Sequence, residues 1–263
     1  DADLGRMVSV AAEKLESGDS LATPRHLDSV QPDENERRFD LLAEFLDADS
    51  IPNDDLTIRG IGEARLKELF DDATDAESYL KPVAERLGLS DSTVYNWVSR
   101  DSVPASALLT LFDRETLLDR VPDDVTLGVR RDTAEVSRFF EVDESVGTLL
   151  GYYAAEGFTR RDDGSFYQTT ICTPDEAPRK ELTETFAETL NVDAFEENEW
   201  KLTVSSRLVT TLFADVLDAG SRAETKRIPD CVLSAPDPVV RSCLAAYFSG
   251  DGSASSDRVE VRA

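Results

Sequence analysis

Two apolar segments of the sequence each end in an acidic residue followed by glycine. Residues 149–157 read LLGYYAAEG and residues 244–252 read LAAYFSGDG. Each segment is apolar enough for a buried helix, carries small residues four positions apart, and stops at a glycine suited to a helix C-terminus. Small residues at this spacing share one face, so the two helices are predicted to cross with their backbones nearly touching. The predicted contact residues are Gly151, Ala155, Ala246 and Gly250.

This crossing is predicted to bring the carboxylates of Glu156 and Asp251 together at the negative ends of two helix dipoles. A divalent cation would neutralise the local charge, and carboxylate oxygens are ligands that Mg²⁺ prefers. Mg²⁺ in such a site can activate water and stabilise both oxygens exchanged during phosphodiester cleavage. We therefore predict a Mg²⁺ site with Glu156 and Asp251 as metal ligands and catalytic residues. The structural alternative is a plain pair of packed helix ends.

The repeated segment resembles the two signature helices of LAGLIDADG homing endonucleases, particularly the DOD-type members embedded in inteins. The interval between the copies has the contents of one half of that fold, αββαββα: a strand at 166–173, a helix at 175–190, a strand pair at 194–204 and a helix at 207–217. The resemblance implies an α+β fold whose antiparallel sheet faces DNA, and site-specific cleavage of double-stranded DNA.

Residue by residue, the resemblance assigns Glu156 and Asp251 to the metal-binding acids. It also assigns Lys226, which precedes Ile-Pro in ETKRIPDCVL, to the basic catalytic residue of the intein members. The sequence departs from the family pattern at Glu156, where aspartate is commoner, and at Ser249, which replaces a consensus aspartate. The alternative for Lys226 is a surface lysine ahead of a turn.

Residues 78–113 predict a helix, a tight turn and a second helix. Ala84 is small where two helices would cross, Gly88 lies at the turn, Ser90 can cap the second helix, and Val94 returns to the core. These offsets resemble the helix-turn-helix family of DNA readers, whose second helix lies in the major groove. The residues that this helix would present to DNA are Ser92, Thr93, Asn96 and Arg100. An ordinary helical hairpin, with Leu87, Val94 and Trp97 as core, is the alternative.

The composition is strongly acidic. The chain has 28 Lys and Arg against 54 Asp and Glu, a formal net charge of −26, which resembles proteins of salt-accumulating archaea. A chain of this charge opposes DNA binding at low salt, so we expect local arginine clusters such as Arg160–Arg161 and Arg130–Arg131 to carry the affinity, with activity at high salt.

Other features exclude several classes of protein. No apolar run is long enough for a membrane-spanning helix and no signal-peptide pattern begins the sequence, so we expect a cytoplasmic protein with no membrane partner. Structural zinc and a disulfide framework are not expected, because the cysteines are few, odd in number and without metal-type spacing. The cysteines are Cys172, Cys231 and Cys243, and the single histidine, His26, is far from them in sequence.

Three regions are predicted. Residues 1–27 resemble the tail of an intein's N-terminal splicing half, residues 28–135 form a helical DNA-binding insert, and residues 136–263 form a LAGLIDADG domain truncated in its second half. We expect an internal piece of a larger, DNA replication protein, with the splicing domain and host extein in cis and a pseudo-twofold monomer when complete. No His-Asn pair occurs, so the chain is not expected to splice. We also expect it not to cut DNA efficiently alone.

Two rival functions remain open. A non-catalytic DNA-binding regulator could combine a LAGLIDADG-like domain with a helix-turn-helix, although such regulators place the helix-turn-helix after the signature helices. An acidic interaction module without a nucleic-acid partner would require both motifs to be accidental.

Overall fold

Short helices and short strands alternate along the chain. A computed structural model describes residues 38–48, 50–74, 78–162, 164–254 and 259–261. The helices are α1 (Leu41–Ala48), α2 (Glu63–Thr74), α3 (Leu80–Leu87), α4 (Asp91–Ser99), α5 (Ala105–Leu111), α6 (Arg114–Arg120), α7 (Glu144–Glu156), α8 (Glu176–Leu190), α9 (Arg207–Thr211) with a π-helical continuation at Leu212–Val216, α10 (Asp230–Leu233) and α11 (Asp237–Asp251). The strands are β1 (Arg38–Asp40), β2 (Leu56–Arg59), β3 (Ser102–Pro104), β4 (Thr126–Val129), β5 (Glu135–Ser137), β6 (Phe139–Glu141), β7 (Gly157–Asp162), β8 (Ser165–Cys172), β9 (Ala194–Asn198), β10 (Lys201–Val204), β11 (Gly252–Ala254) and β12 (Val259–Val261).

The strand pairs in the described residues are antiparallel, and the predicted α+β class is confirmed. One four-stranded sheet has the order β3-β2-β4-β5. Its register places Ile58 opposite Leu127, and both side chains are fully buried. The sequence-based description of this region as helical omitted this sheet, because strands of three or four residues are too short to show a clear alternation.

A second four-stranded sheet has the order β7-β8-β10-β9. Ile171 lies opposite Leu202, and both are buried on the face covered by helices. An aromatic cluster completes this core, with the ring of Phe213 5.3 Å from that of Tyr153 and 6.2 Å from that of Phe186. The sheet therefore has one apolar face under helices, while its other face is polar and includes the buried, hydrogen-bonded hydroxyls of Thr170 and Thr203.

Arg138 joins the short β1–β6 ribbon to α6. Its guanidinium donates to the carboxylate of Asp40 at 2.6 Å and to the backbone carbonyls of Leu118 and Val121. Only 4% of the Arg138 side chain is exposed. A buried arginine is tolerated at this position because its donors find these acceptors.

The observed elements follow several predicted ones closely, including α8 and the β9–β10 pair. The spacing of Phe39, Leu42 and Phe45 in the sequence predicts one helix, but Phe39 lies in β1 and the helix begins at Leu41. The predicted splicing tail, residues 1–27, lies outside the described residues, and the domain boundaries at 27/28 and 135/136 stay predictions. None of the described helices combines the length and apolarity needed to cross a membrane.

Candidate nucleic-acid interface

Helices α7 and α11 cross with their backbones in contact. A Cβ atom on Gly147 would lie 2.7 Å from the carbonyl oxygen of Val239, and one on Gly151 would lie 2.8 Å from Cβ of Ala246. At the far end, a Cβ on Gly250 would lie 2.6 Å from Cβ of Ala155. Any side chain at these glycines would push the helices apart, since Cβ contacts this short do not occur in packed proteins.

The C-terminal end of α7 meets a cation supplied by the chain itself. The ammonium group of Lys226 donates to the carbonyl oxygen of Ala155, in the last turn of α7. A lysine at this position satisfies an otherwise unpaired helix carbonyl and complements the negative end of the helix dipole. The structure thus places Lys226 next to the end of α7, beside the helix turn that carries Glu156.

The loop that carries Lys226 is anchored at both ends. Tyr153 donates its hydroxyl proton to the carbonyl oxygen of Gly220 at 2.5 Å, and burial raises the pKa of that phenol. Gly220 has a positive φ of 76°, and a Cβ at this residue would strike the backbone of Thr225. Arg227 then donates its backbone N–H to Ala219 at 3.1 Å. This bonding holds Lys226 in place against α7.

Charged groups converge around Cys172, at the end of β8. Burial raises the pKa of the Cys172 thiol, the carboxylates of Glu156 and Glu197 raise it further, and the ammonium groups of Lys201 and Lys226 oppose them. The structure therefore brings Glu156 and Lys226 to the same edge of the second sheet.

The predicted Mg²⁺ site is only partly described. Residue 251 ends α11, and its side chain lies outside the part of the chain that the structure describes. Among the described residues, no group of three or more His, Cys, Asp or Glu side chains could hold a metal ion. The ammonium group of Lys226, which lies at the same helix end, has no lone pair with which to bind a cation, and the Mg²⁺ site stays a prediction.

Helices α3 and α4 form a helix–turn–helix with a three-residue turn. Gly88 adopts the left-handed conformation at φ 66°, and the Ser90 hydroxyl accepts the backbone N–H of Thr93 at 3.3 Å. Ala84 and Val94 are buried against each other's helices and the core, with 1% and 0% of their surfaces exposed. The glycine and the cap explain why the chain reverses here, because only glycine takes this turn without a Cβ penalty.

The outer face of α4 carries the residues predicted to meet DNA. Ser92, Asn96 and Arg100 are exposed, and Thr93 is half-buried. The hydroxyls of Ser92 and Thr93 each lie 2.9 Å from that of Ser90, so the cap already engages them. Asn96 and Arg100 are therefore the members of this set whose side chains point outward without being part of the cap.

Arg160 and Arg161, also predicted DNA contacts, have partners within the chain. Arg160 donates to Gln168 at 2.9 Å and to Glu197 at 3.1 Å. The guanidinium of Arg161 lies 3.8 Å from the centre of the Phe166 ring and 3.8 Å from the carboxylate of Asp215. These contacts offset both charges, so the pair is less available to phosphates than the sequence indicated.

Exposed aromatic residues on the second sheet were missed by the sequence reasoning. Tyr167, Phe195 and Trp200 are 42%, 46% and 58% exposed. Aromatic side chains in strands are usually read as core, so composition alone gave no signal that these three face solvent. The pairing of the strands decides it: Tyr167 lies at a β-bulge in β8, Phe195 is on the edge strand β9, and Trp200 is in the turn between β9 and β10.

Comparison with known proteins places this geometry in context. No protein-family model matches the chain. It is 27% identical over 98% of its length to the DNA polymerase II large subunit of Haloquadratum walsbyi, and 33% identical over 95% to that of Thermococcus kodakarensis. A match of 34% identity over 43% of the chain is to a DNA polymerase of Thermococcus litoralis. The chain spans 12%, 13% and 7% of the lengths of these relatives.

These names contradict the predicted function. The prediction of an intein homing endonuclease is wrong on this comparison, because the proteins that match nearly the whole chain are named as DNA polymerase subunits and none is named as an endonuclease. The alternative of a DNA-binding regulator is not what the names describe either. Physically, the helix pair specifies a packing solution and not a reaction. Lys226 already meets the negative helix end whose charge suggested a catalytic metal.

Proposed function

We propose that this chain is a DNA-binding region of a larger archaeal replicative DNA polymerase polypeptide. The observation that carries the proposal is the similarity of nearly the whole chain to a short part of DNA polymerase II large subunits. Synthesis of DNA belongs to the long polypeptides that carry the name. The contribution proposed for this chain is to hold the duplex.

Helix α4 is the proposed reading element. A helix held by a three-residue turn against a preceding helix can enter the major groove with its exposed face toward the bases. Asn96 offers an amide that suits adenine, and Arg100 offers a guanidinium that suits guanine or a phosphate. Both side chains are exposed, while Val94 and Val98 on the opposite face are buried. The helix therefore presents polar groups outward without losing its packing.

The second sheet is proposed as a supporting platform with LAGLIDADG-type architecture. The order α7-β7-β8-α8-β9-β10-α9 and the close crossing of α7 with α11 support this assignment of the fold within residues 136–263. Gln168, which donates to Ser205 at 2.7 Å, lies on the uncovered face together with Arg160. Strand cleavage is not part of the proposal; the fold is proposed as a scaffold for binding.

Binding of a fluorescent duplex, followed by anisotropy in KCl, tests the proposal. A pool of random duplexes is first enriched on the full 263-residue chain, and the selected and shuffled sequences are then titrated. Loss of one bidentate base contact is worth about 1–3 kcal/mol, so Asn96→Ala is expected to weaken binding to the selected duplex by roughly 5- to 150-fold. Binding to the shuffled duplex should change little.

The matched control is Arg241→Gln. Arg241 is 81% exposed on α11, with only a 4.0 Å contact to Asp237, and lies outside the α4 face. Enrichment of no duplex at any salt, or equal losses in Asn96→Ala and Arg241→Gln, would overturn the proposal. Repeating the titrations with and without Mg²⁺ tests the metal: an enhancement by Mg²⁺ that Glu156→Gln abolishes would support a metal site at the end of α7.

A further inference from the structure

Two adjoining grooves run between α4 and the second sheet. The first, of about 470 Å³, is lined on one side by Thr93, Asn96, Trp97 and Arg100 of α4, and on the other by residues of the first sheet and by Arg130. The second, of about 440 Å³, begins at Arg130 and Arg131 and reaches Tyr167 on β8. Arg130 lines both grooves, so the surface is continuous from α4 to the second sheet.

Most of the described arginines of this acidic chain form an ion pair with a carboxylate. In the described ranges, the arginines in ion pairs are Arg38, Arg59, Arg65, Arg114, Arg120, Arg138, Arg160, Arg161, Arg179, Arg207, Arg227 and Arg241. Five described arginines form none of these ion pairs, and all five are exposed: Arg86, Arg100, Arg130, Arg131 and Arg222. Arg86 donates to the backbone carbonyls of Ala73 and Leu111, and Arg222 lies in the loop before Lys226. The other three line the two grooves, although carboxylates greatly outnumber arginines in the chain.

The loop that carries Arg130 and Arg131 is held firmly. The backbone N–H of Arg130 donates to the backbone carbonyl oxygen of Asp55 at 2.8 Å. The carboxylate of Asp132 accepts from the Ser206 hydroxyl at 2.9 Å and from the backbone N–H of Leu208 at 3.0 Å, which ties the loop to α9. These bonds fix the backbone that carries the two arginines relative to β2 and α9.

Arg131 itself has a positive φ of 69°, a conformation that non-glycine residues seldom adopt. Such a conformation costs of order 1 kcal/mol or more and persists because the surrounding bonds impose it. The neighbouring carboxylate of Asp132 is already engaged, because it accepts hydrogen bonds from Ser206 and from the backbone N–H of Leu208. The acids that do line the grooves are Asp54 in the first, and Asp132 and Asp162 in the second.

We propose that Arg100, Arg130 and Arg131 form a path for one sugar–phosphate backbone of the duplex read by α4. This inference rests on the proposed function and adds its phosphate contacts. The guanidinium groups suit phosphate oxygens, and a fixed phosphate track sets the register of a reading helix. Tyr167, 42% exposed at the far end of the path, offers its hydroxyl and ring to the sugar–phosphate chain. The path explains how a chain of −26 charge can meet a polyanion.

The salt dependence of binding tests the path. Each phosphate contact contributes a slope of about 0.9 to the plot of log affinity against log salt, so Arg130→Gln with Arg131→Asn is expected to reduce the slope by about 2. Asparagine is chosen at 131 because it tolerates the left-handed conformation. The affinity should fall equally for selected and shuffled duplexes. Replacement of both residues by lysine should keep the slope, because the charge is retained.

The outcomes separate this inference from the proposed function. If Asn96→Ala lowers sequence preference while the Arg130/Arg131 variant keeps the wild-type slope, as Arg241→Gln should, the phosphate path is wrong and the reading helix stands. If the wild-type chain binds no duplex at any salt, both fail. Circular dichroism melts of each variant in the same KCl establish that the slopes are compared between folded proteins, and the lysine variant supplies the folded comparison if the neutral one melts early.

Discussion

Helices α7 and α11 contact each other through two glycine–alanine pairs, Gly250 with Ala155 at the C-terminal level and Gly151 with Ala246 at the central level. Exchanging glycine and alanine within a pair is expected to leave the free energy of unfolding nearly unchanged at the first level and to lower it at the second. At the C-terminal level, the obstacle to a Cβ on Gly250 is a side-chain atom, Cβ of Ala155 at 2.6 Å. At the central level, a Cβ on Gly151 meets Cβ of Ala246 at 2.8 Å and also the backbone carbonyl of Cys243. The first obstacle can be removed by mutation and the second cannot.

The magnitudes follow from packing and helix propensity. Overpacking a core by a methyl group costs about 1–3 kcal/mol, against a gain of up to about 1 kcal/mol when glycine in a helix becomes alanine. Each exchange trades one alanine for one glycine, so the propensity terms cancel to first order. We therefore expect Gly250→Ala with Ala155→Gly to stay within about 1 kcal/mol of wild type, since the methyl only moves across the interface. Gly151→Ala with Ala246→Gly should remain about 1–3 kcal/mol less stable.

Urea unfolding at constant KCl, followed by far-ultraviolet circular dichroism, measures these differences. Both single variants of each pair are included, so each exchange closes a double-mutant cycle. We expect Ala155→Gly to restore the stability lost in Gly250→Ala, and Ala246→Gly to leave Gly151→Ala destabilised. Equal behaviour of the two exchanges would refute the reasoning, because it would mean that backbone contact with Cys243 does not set the spacing of the helices.

Two further predictions concern stability. Asp40→Asn should lower the free energy of unfolding by about 3–5 kcal/mol, because it leaves the buried Arg138 guanidinium without its carboxylate. As a control, Arg65→Gln in an exposed ion pair should lower it by less than about 1 kcal/mol. Similar losses for the two variants in urea unfolding would contradict this prediction. Burial raises the pKa of the Cys231 and Cys243 thiols from 9.0 to about 11. The thiols therefore ionise at lower pH in the unfolded chain than in the folded one, and the free energy of unfolding should fall as the pH rises from about 9 to 11. Replacing both cysteines by alanine should flatten this decline, and an unchanged slope would disprove the prediction.

Local features of the chain could be predicted because they depend on neighbours in sequence. The turn at Gly88, the cap at Ser90 and the return of Val94 to the core are fixed by offsets of a few residues, and α3 and α4 form there. Helix α2 likewise begins at Glu63, directly after the Gly-Ile-Gly segment at residues 60–62, which is a local turn signal in the sequence. Helical periodicity and capping are readable within one or two turns.

Contacts between distant segments could not be predicted in this way. The sheet containing β2 and β4 brings together strands some seventy residues apart, and neither is long enough to show its face. Arg160 looked like a free cation in the sequence, but the pairing of the second sheet gives it Glu197 as a partner. The number of charges along the chain does not distinguish an arginine that is paired with a carboxylate from one that is not.

Similarity of the signature helices to a nuclease family favoured an activity that the relatives' names contradict. The reason is that small residues four apart specify how closely two helices pack, whereas a reaction depends on which side chains meet at their ends. In this structure Lys226, far from α7 in sequence, reaches the last turn of that helix.

The amino-acid order by itself determined the acidic surface, the helix–turn–helix and the small residues four positions apart in α7 and α11. Each of these is a property of composition or of residues within a few helical turns. Tertiary structure alone decided which arginines are neutralised and which line the grooves from α4 to β8. Folding brings carboxylates from remote segments to most of the guanidinium groups, and that selection is a result of three-dimensional proximity.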